Sequence, residues 1–175
     1  FHNLKSLPDE ILGVKLLKGV EANIIDTEGN LDMDSKELEK LDWVIASFHA
    51  PVVPNGTYEE FTQAYINIAK NNRLVDVIGH CTTDYFKFDY EKVIKYWKEY
   101  EKLVEINESS IIFKKGSREN TYTLLKLCKK YEVPIVVNTD CHYCELIGRV
   151  PEAEKIIEEV GFPKDLIINR KIENV

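Results

Sequence analysis

An α/β fold built on parallel strands is what this chain predicts, and three observations predict it. Short β-branched apolar runs alternate with longer amphipathic stretches, the pattern of successive β/α units. The runs are nearly all apolar, as strands covered on both faces are. The alternation recurs at about 30 residues, the size of one such unit. A closed β/α barrel is the expected architecture. An open doubly wound sheet is the alternative, but the Gly-rich nucleotide loop that would favour it is missing. The 175 residues suit one domain. They fall short of the about 250 of a full eight-unit barrel, so the chain is too short to close a normal barrel alone.

The elements follow in order. Strands are expected at residues 16–23, 43–48, 74–79, 102–107 and 134–138, with a weaker one at 166–169. Helices are expected between them. Asp34 and Thr57 each stand three residues before a glutamate, Glu37 and Glu60. That spacing lets the two side chains satisfy each other's backbone N–H at a helix start. The helix after Thr57 is expected to reach about Asn72 and to gather Phe61, Ala64, Tyr65, Ile68 and Ala69 on one face. Asp89 is expected to cap a helix carrying Val93, Ile94, Trp97 and Tyr100, and Ser117 one carrying Leu124, Leu125, Leu127 and Cys128. Pro151 suits the first turn of the last long helix and Gly161 its end.

Composition narrows the function classes. The chain is 44% hydrophobic and 30% charged, enough apolar material for a sizeable core. A formal net charge of -7 argues against nucleic acid as a partner. No apolar run reaches the about 18 residues of a membrane span. Cys81, Cys128, Cys141 and Cys144 are irregularly spaced, unlike a disulfide framework, so a reducing cytoplasm is the expected compartment. The one methionine is Met33 and the first residue is Phe1, so a segment upstream of Phe1 is expected.

Three of the four histidines fall where an apolar run ends: His49, His80 and His142. Glu21 lies inside the first apolar run, a poor place for an unpaired carboxylate, and Asp140 stands two residues before His142. In a β/α barrel the carboxyl ends of the strands converge on one face, so these residues are expected to meet at one mouth. Imidazoles and carboxylates together suit zinc, manganese or iron better than calcium. A single histidine at a strand end is more often structural. Three of four doing so, with two carboxylates, is not explained that way.

The segments GVEAN (19–23), ASFH (46–49), IGH (78–80), LVEINESS (103–110), GSREN (116–120) and NTDCH (138–142) occur in an order that resembles the PHP (polymerase and histidinol phosphatase) family of phosphoesterases. The resemblance covers nearly the whole chain and is nearer to compact bacterial hydrolases than to polymerases. It implies a distorted (β/α)7 barrel with up to three metal ions at its mouth, residues 1–175 being a single such domain without its first β/α units. It implies hydrolysis of a small phosphorylated substrate by metal-activated water; the alternative is a catalytically inactive or partner-dependent fragment of that family acting as a binding module. It gives Glu21 the role of a carboxylate bridging two metals, His49 and His80 the remaining ligands of the second, Asp140 a ligand of the first and His142 a ligand of the third. The family's opening His-x-His strand is not found here. His2 stands before the first strand, but its flanks do not match, and it is read as a surface histidine. One ion at Glu21, His49 and His80 is therefore expected, with fewer than three overall. Missing strands would leave a sheet edge exposed, so a homo-oligomer or association with the N-terminal segment is expected.

Other residues are weighed beside these. Arg118 and Asn107 are the candidate substrate-binding residues: Arg118 opens a helix where backbone amides favour an anion, and Asn107 ends a strand beside Glu105, in reach of orienting the ligands. Lys114 and Lys115 read as solvated charge. Cys81 reads as a buried thiol, and Cys141-His142-Tyr143-Cys144 as an isolated C-x-x-C without the second pair a zinc ribbon needs.

Overall fold

A computed structural model describes residues 2–53 and 55–170, without the side chains of His2 and Arg170. The reading of His2 as a surface histidine therefore lies outside the described residues. A small hairpin, β1 (Glu10–Ile11) and β2 (Val14–Lys15), precedes the main body. Then come β3 (Gly19–Asn23), α1 (Ser35–Leu38), β4 (Trp43–Ser47), α2 (Tyr58–Asn71), β5 (Val77–Ile78), α3 (Tyr90–Glu99) and β6 (Leu103–Asn107). They are followed by α4 (Glu108–Phe113), α5 (Ser117–Tyr131), β7 (Ile135–Asn138) and α6 (Pro151–Val160).

β3 to β7 form one parallel sheet in sequence order. That order never reverses. Since β/α crossovers are right-handed, each returns its helix to the same face, and α2, α3, α5 and α6 pack neighbour on neighbour. A doubly wound sheet needs a reversal of strand order, so that alternative is set aside. Closure into a barrel is not seen: among the described residues β3 and β7 are the two sheet edges.

Residue parity sorts the sheet's two faces. Ala22, Val44, Ala46, Ile78, Val104, Ile106 and Ile135 are buried in the core beneath the helices. On the other face, Glu21 is in register with Ile45 and Ile45 with Val77, while Glu105 and Asn107 are in register with Val136 and Asn138. The largest buried side chains under the helices form an aromatic block. Phe48 meets Phe61 and Tyr65 edge to face, and Tyr65 meets Trp97, whose indole N–H donates to the Tyr65 carbonyl. This block holds the loop after β4 against α2 and α3.

Helix starts follow the sequence closely. Thr57 and Glu60 form the reciprocal capping box at α2, Asp89 accepts from Lys92 N at α3, and Pro151 opens α6. Asp34 caps a helix of one turn only, through Lys36 N. Ser117 is not a cap. Gly116, at φ 74°, takes that position, and the Ser117 hydroxyl is buried at 2.6 Å from that of Thr82. The expected strand at 166–169 is two short 3₁₀ turns with a single bridge from Ile167 to Ile135. Asn169 explains it: its side chain bonds both the N–H and the carbonyl of Val137, taking the place of strand pairing. No helix among the described residues is long and apolar enough to cross a membrane.

Candidate metal centre

An open cavity of about 520 Å³ runs along the sheet face that carries Glu21, from Trp43 and Ile45 of β4 to the carboxyl ends of β6 and β7, with Glu21, Glu105, Asn107, Asn138 and Asp140 in its wall. Glu21 projects from β3; His49 and His80 stand two residues beyond β4 and β5. Glu21 Oε1 lies 2.8 Å from His80 Nε2 and 3.5 Å from His49 Nε2, and the two Nε2 atoms are 3.1 Å apart. Two imidazoles at Zn–N of 2.0–2.1 Å in a tetrahedral shell stand about 3.3 Å apart. The triangle of donors has the size of one face of such a shell, and the set suits a divalent cation.

A relay fixes which nitrogen of His49 is free. Asp32 can only accept, so Asn23 turns its Nδ2 toward Asp32 Oδ2, and Asp32 Oδ1 takes the Asn23 N–H at 2.8 Å. That leaves Asn23 Oδ1 facing His49 Nδ1 at 2.8 Å. The proton is therefore on Nδ1, and the Nε2 lone pair points at Glu21 and His80. Asn23 and Asp32 carry no signal in the sequence beyond a strand end and a nearby turn.

Glu105 braces the mouth from below. It is 4% exposed and fully used. Its Oε2 accepts from His80 N at 2.7 Å and Asn107 Nδ2 at 3.1 Å, and its Oε1 from Asn138 Nδ2 at 2.8 Å. His80 has φ 24°, a conformation that costs a side-chain-bearing residue about 1–3 kcal/mol. The Glu105 contact holds it there. Gly79 permits the close approach: a Cβ on it would stand 2.1 Å from Ser47 Oγ and 2.7 Å from the Ile45 side chain.

Electrostatics follow from these contacts. The hydrogen bond from His80 holds the Glu21 carboxyl down to about 2, against partial burial, which raises it. Burial and the neighbouring His80 push His49 below its ordinary value, while Glu21 opposes. Burial likewise lowers the Lys114 ammonium, opposed by Asp140, Glu21 and Glu105. Lys114 is half-buried, where solvated loop charge was expected.

The remaining expected residues are placed differently. Asp140, at φ 48°, receives Asn107 Nδ2 at 3.2 Å and lines the cavity, but it is outside the three-donor cluster. His142 does not join the others. Its side chain is 93% exposed and its Nε2 is 3.8 Å from Asp140 Oδ1, because the turn at Asp140 carries the chain outward. Arg118 faces Glu152 at 2.6 Å, tying α5 to α6, and does not line the cavity. Asn107 is 3% exposed with both ends of its amide occupied: Oδ1 caps α4 through Ser110 N, and Nδ2 serves Glu105 and Asp140. It braces Glu105 and Asp140 and lines the cavity. Cys81 is a buried thiol whose pKa burial pushes up. Cys141 and Cys144 are free thiols.

No family model matches the chain. Two relatives are informative. A probable phosphatase of Clostridium botulinum (strain Hall) is 43% identical over 171 residues, covering 98% of this chain and 70% of the relative. A probable phosphatase of Thermoanaerobacter sp. (strain X514) is 45% identical over 177 residues, covering 100% and 72%. The chain belongs to this family of probable phosphatases. Its fold within the probable phosphatases is also similar to a histidinol phosphate phosphatase from Lactococcus lactis, solved with zinc, L-histidinol and phosphate. The TM-score is 0.53 at 16% identity. The match spans 75% of this chain and 64% of that one, and the likeness is one of fold alone.

Proposed function

We propose that the protein is a metal-dependent phosphate-ester hydrolase of the PHP type, acting on a small phosphorylated substrate. The observation that carries this is the Glu21–His49–His80 cluster, whose possible ligand atoms all lie within 4.8 Å of one another, with the His49 Nε2 lone pair turned toward the other two. The names of the relatives support the hydrolase class.

Glu21, His49 and His80 would hold one divalent ion: zinc, manganese or iron by donor type. When bound, such an ion supplies Lewis acidity toward a phosphoryl oxygen and toward the attacking water. Lys114 draws the substrate's phosphate to the mouth and balances its charge. Asp140, held by Asn107, offers a second carboxylate at the cavity wall. In the net reaction an oxygen of water bonds to phosphorus, the bond from phosphorus to the ester oxygen breaks, and that oxygen leaves with its electron pair and takes a proton. The products are inorganic phosphate and an alcohol. With His142 in solvent and Asp140 outside the cluster, one ion per chain is the stoichiometry we propose.

The test is turnover of phosphate monoesters by the purified chain with zinc or manganese, alongside elemental analysis. Activity that a chelator abolishes and that His80→Ala removes supports the proposal. Activity indifferent to chelation contradicts it, as does zinc loading without any turnover.

A further inference from the structure

A second cavity, of about 390 Å³, adjoins the metal mouth and shares Thr139, Asp140 and Cys141 with it. Its character is different. Ile112, Phe113, Tyr143 and Leu146 wall it, and they are 48%, 79%, 57% and 46% exposed. So many large apolar groups left in water at one place mark a binding surface. The volume falls in the range of small-molecule sites, about 300–1,000 Å³. Arg149 also lines it and is exposed.

The two cavities are joined through one stretch of chain. α4 ends with Ile112 and Phe113 in the apolar cleft, whose wall continues through Thr139, Asp140 and Cys141 into that of the metal mouth. Asp140 stands in both walls. A molecule with its phosphate at the mouth therefore has its remaining atoms directed into apolar walls.

We propose that the cleft receives the alcohol moiety of the substrate, and that this moiety is aromatic. The inference rests on the hydrolase function proposed above and names its substrate class: phosphate monoesters of aryl or arylmethyl alcohols. Phe113 and Tyr143 offer ring faces and edges to an aromatic group, and the Arg149 guanidinium can stack on it. A short polar alcohol such as glycerol would leave these walls wet.

Calorimetric titration of the zinc-loaded chain with benzylphosphonate and methylphosphonate tests this without turnover. Both carry the same anion and neither is hydrolysed. Benzylphosphonate is expected to bind about ten-fold more tightly, the worth of burying a ring. Phe113→Ala is expected to cut that ratio to about one third, and Tyr143→Ala to do likewise. Both side chains are mostly exposed, so the variants should fold, which circular dichroism checks. Equal binding of the two phosphonates overturns the subsite and leaves the hydrolase reading standing. A large ratio untouched by both variants also overturns it. If neither phosphonate binds the zinc-loaded chain, the hydrolase reading itself fails, and the subsite with it.

Discussion

Replacing Asp32 by alanine should weaken metal binding although Asp32 touches no proposed ligand. Asp32 accepts both the backbone N–H and the Nδ2 of Asn23, and so decides which end of the amide faces His49. Without it the amide is free to turn. Nδ2 then meets His49 Nδ1, the imidazole proton moves to Nε2, and the lone pair that pointed at Glu21 and His80 is gone. Loss of a group that orients a ligand costs about 10–100-fold in metal affinity. Asp32 is exposed and water competes for its bonds, so the lower end applies, about ten-fold, or about 1.4 kcal/mol. Competition against a chromophoric zinc chelator measures the affinity. Nitrogen NMR of the imidazoles reads the tautomer independently. Asp32→Asn keeps an acceptor but loses the compulsion, so an intermediate affinity is expected. Unchanged zinc affinity in Asp32→Ala, or a His49 ring still protonated on Nδ1, refutes the relay.

Three further outcomes are expected. Gly79→Ala drives a Cβ to 2.1 Å from Ser47 Oγ beside the strained His80, and should cost about 2–4 kcal/mol in urea unfolding; a loss under about 0.5 kcal/mol would show that the approach is not tight. Zinc at about 100 times its dissociation constant should stabilise the chain by about 2.7 kcal/mol, read as a higher Tm, and His80→Ala should erase that rise. Glu91 is lowered from 4.5 to about 2 by Lys130 and Tyr131, so its pairing supports the fold above pH 4.5 and is lost as pH falls toward 2; Glu91→Gln should flatten the fall of stability across that window, and an unaltered acid limb would count against the pairing.

Much of the fold was legible in the sequence because apolar runs and caps are local signals. Thr57 with Glu60, and Asp89, needed only their own neighbours to be read. The run at 166–169 was misread because its apolar residues resemble a strand, while the deciding contact, Asn169 with Val137, spans distant residues. The metal centre divides in the same way. Glu21, a carboxylate inside an apolar strand, and His49 and His80, just past theirs, are found by residue type and position. The orientation of His142 and of Arg118 depends on a left-handed turn at Asp140 and on the partner Glu152, neither visible in spacing. Lys114 looked like one of several surface lysines, and its half-burial at the end of α4 is set by the fold and not by its neighbours in sequence.

The unreversed strand order also bears on how the chain finds its structure. Each crossover is bridged by a side-chain hydrogen bond: Lys18 N to Asp42, Val44 N to Asp76, His80 N to Glu105, and Asn138 to Glu105. These span 24, 32, 25 and 33 residues. Closing segments so similar in length differs by only about 0.3 kcal/mol in chain entropy. No single crossover is then a bottleneck, and ordering is free to begin at whichever unit collapses first and spread outward in both directions.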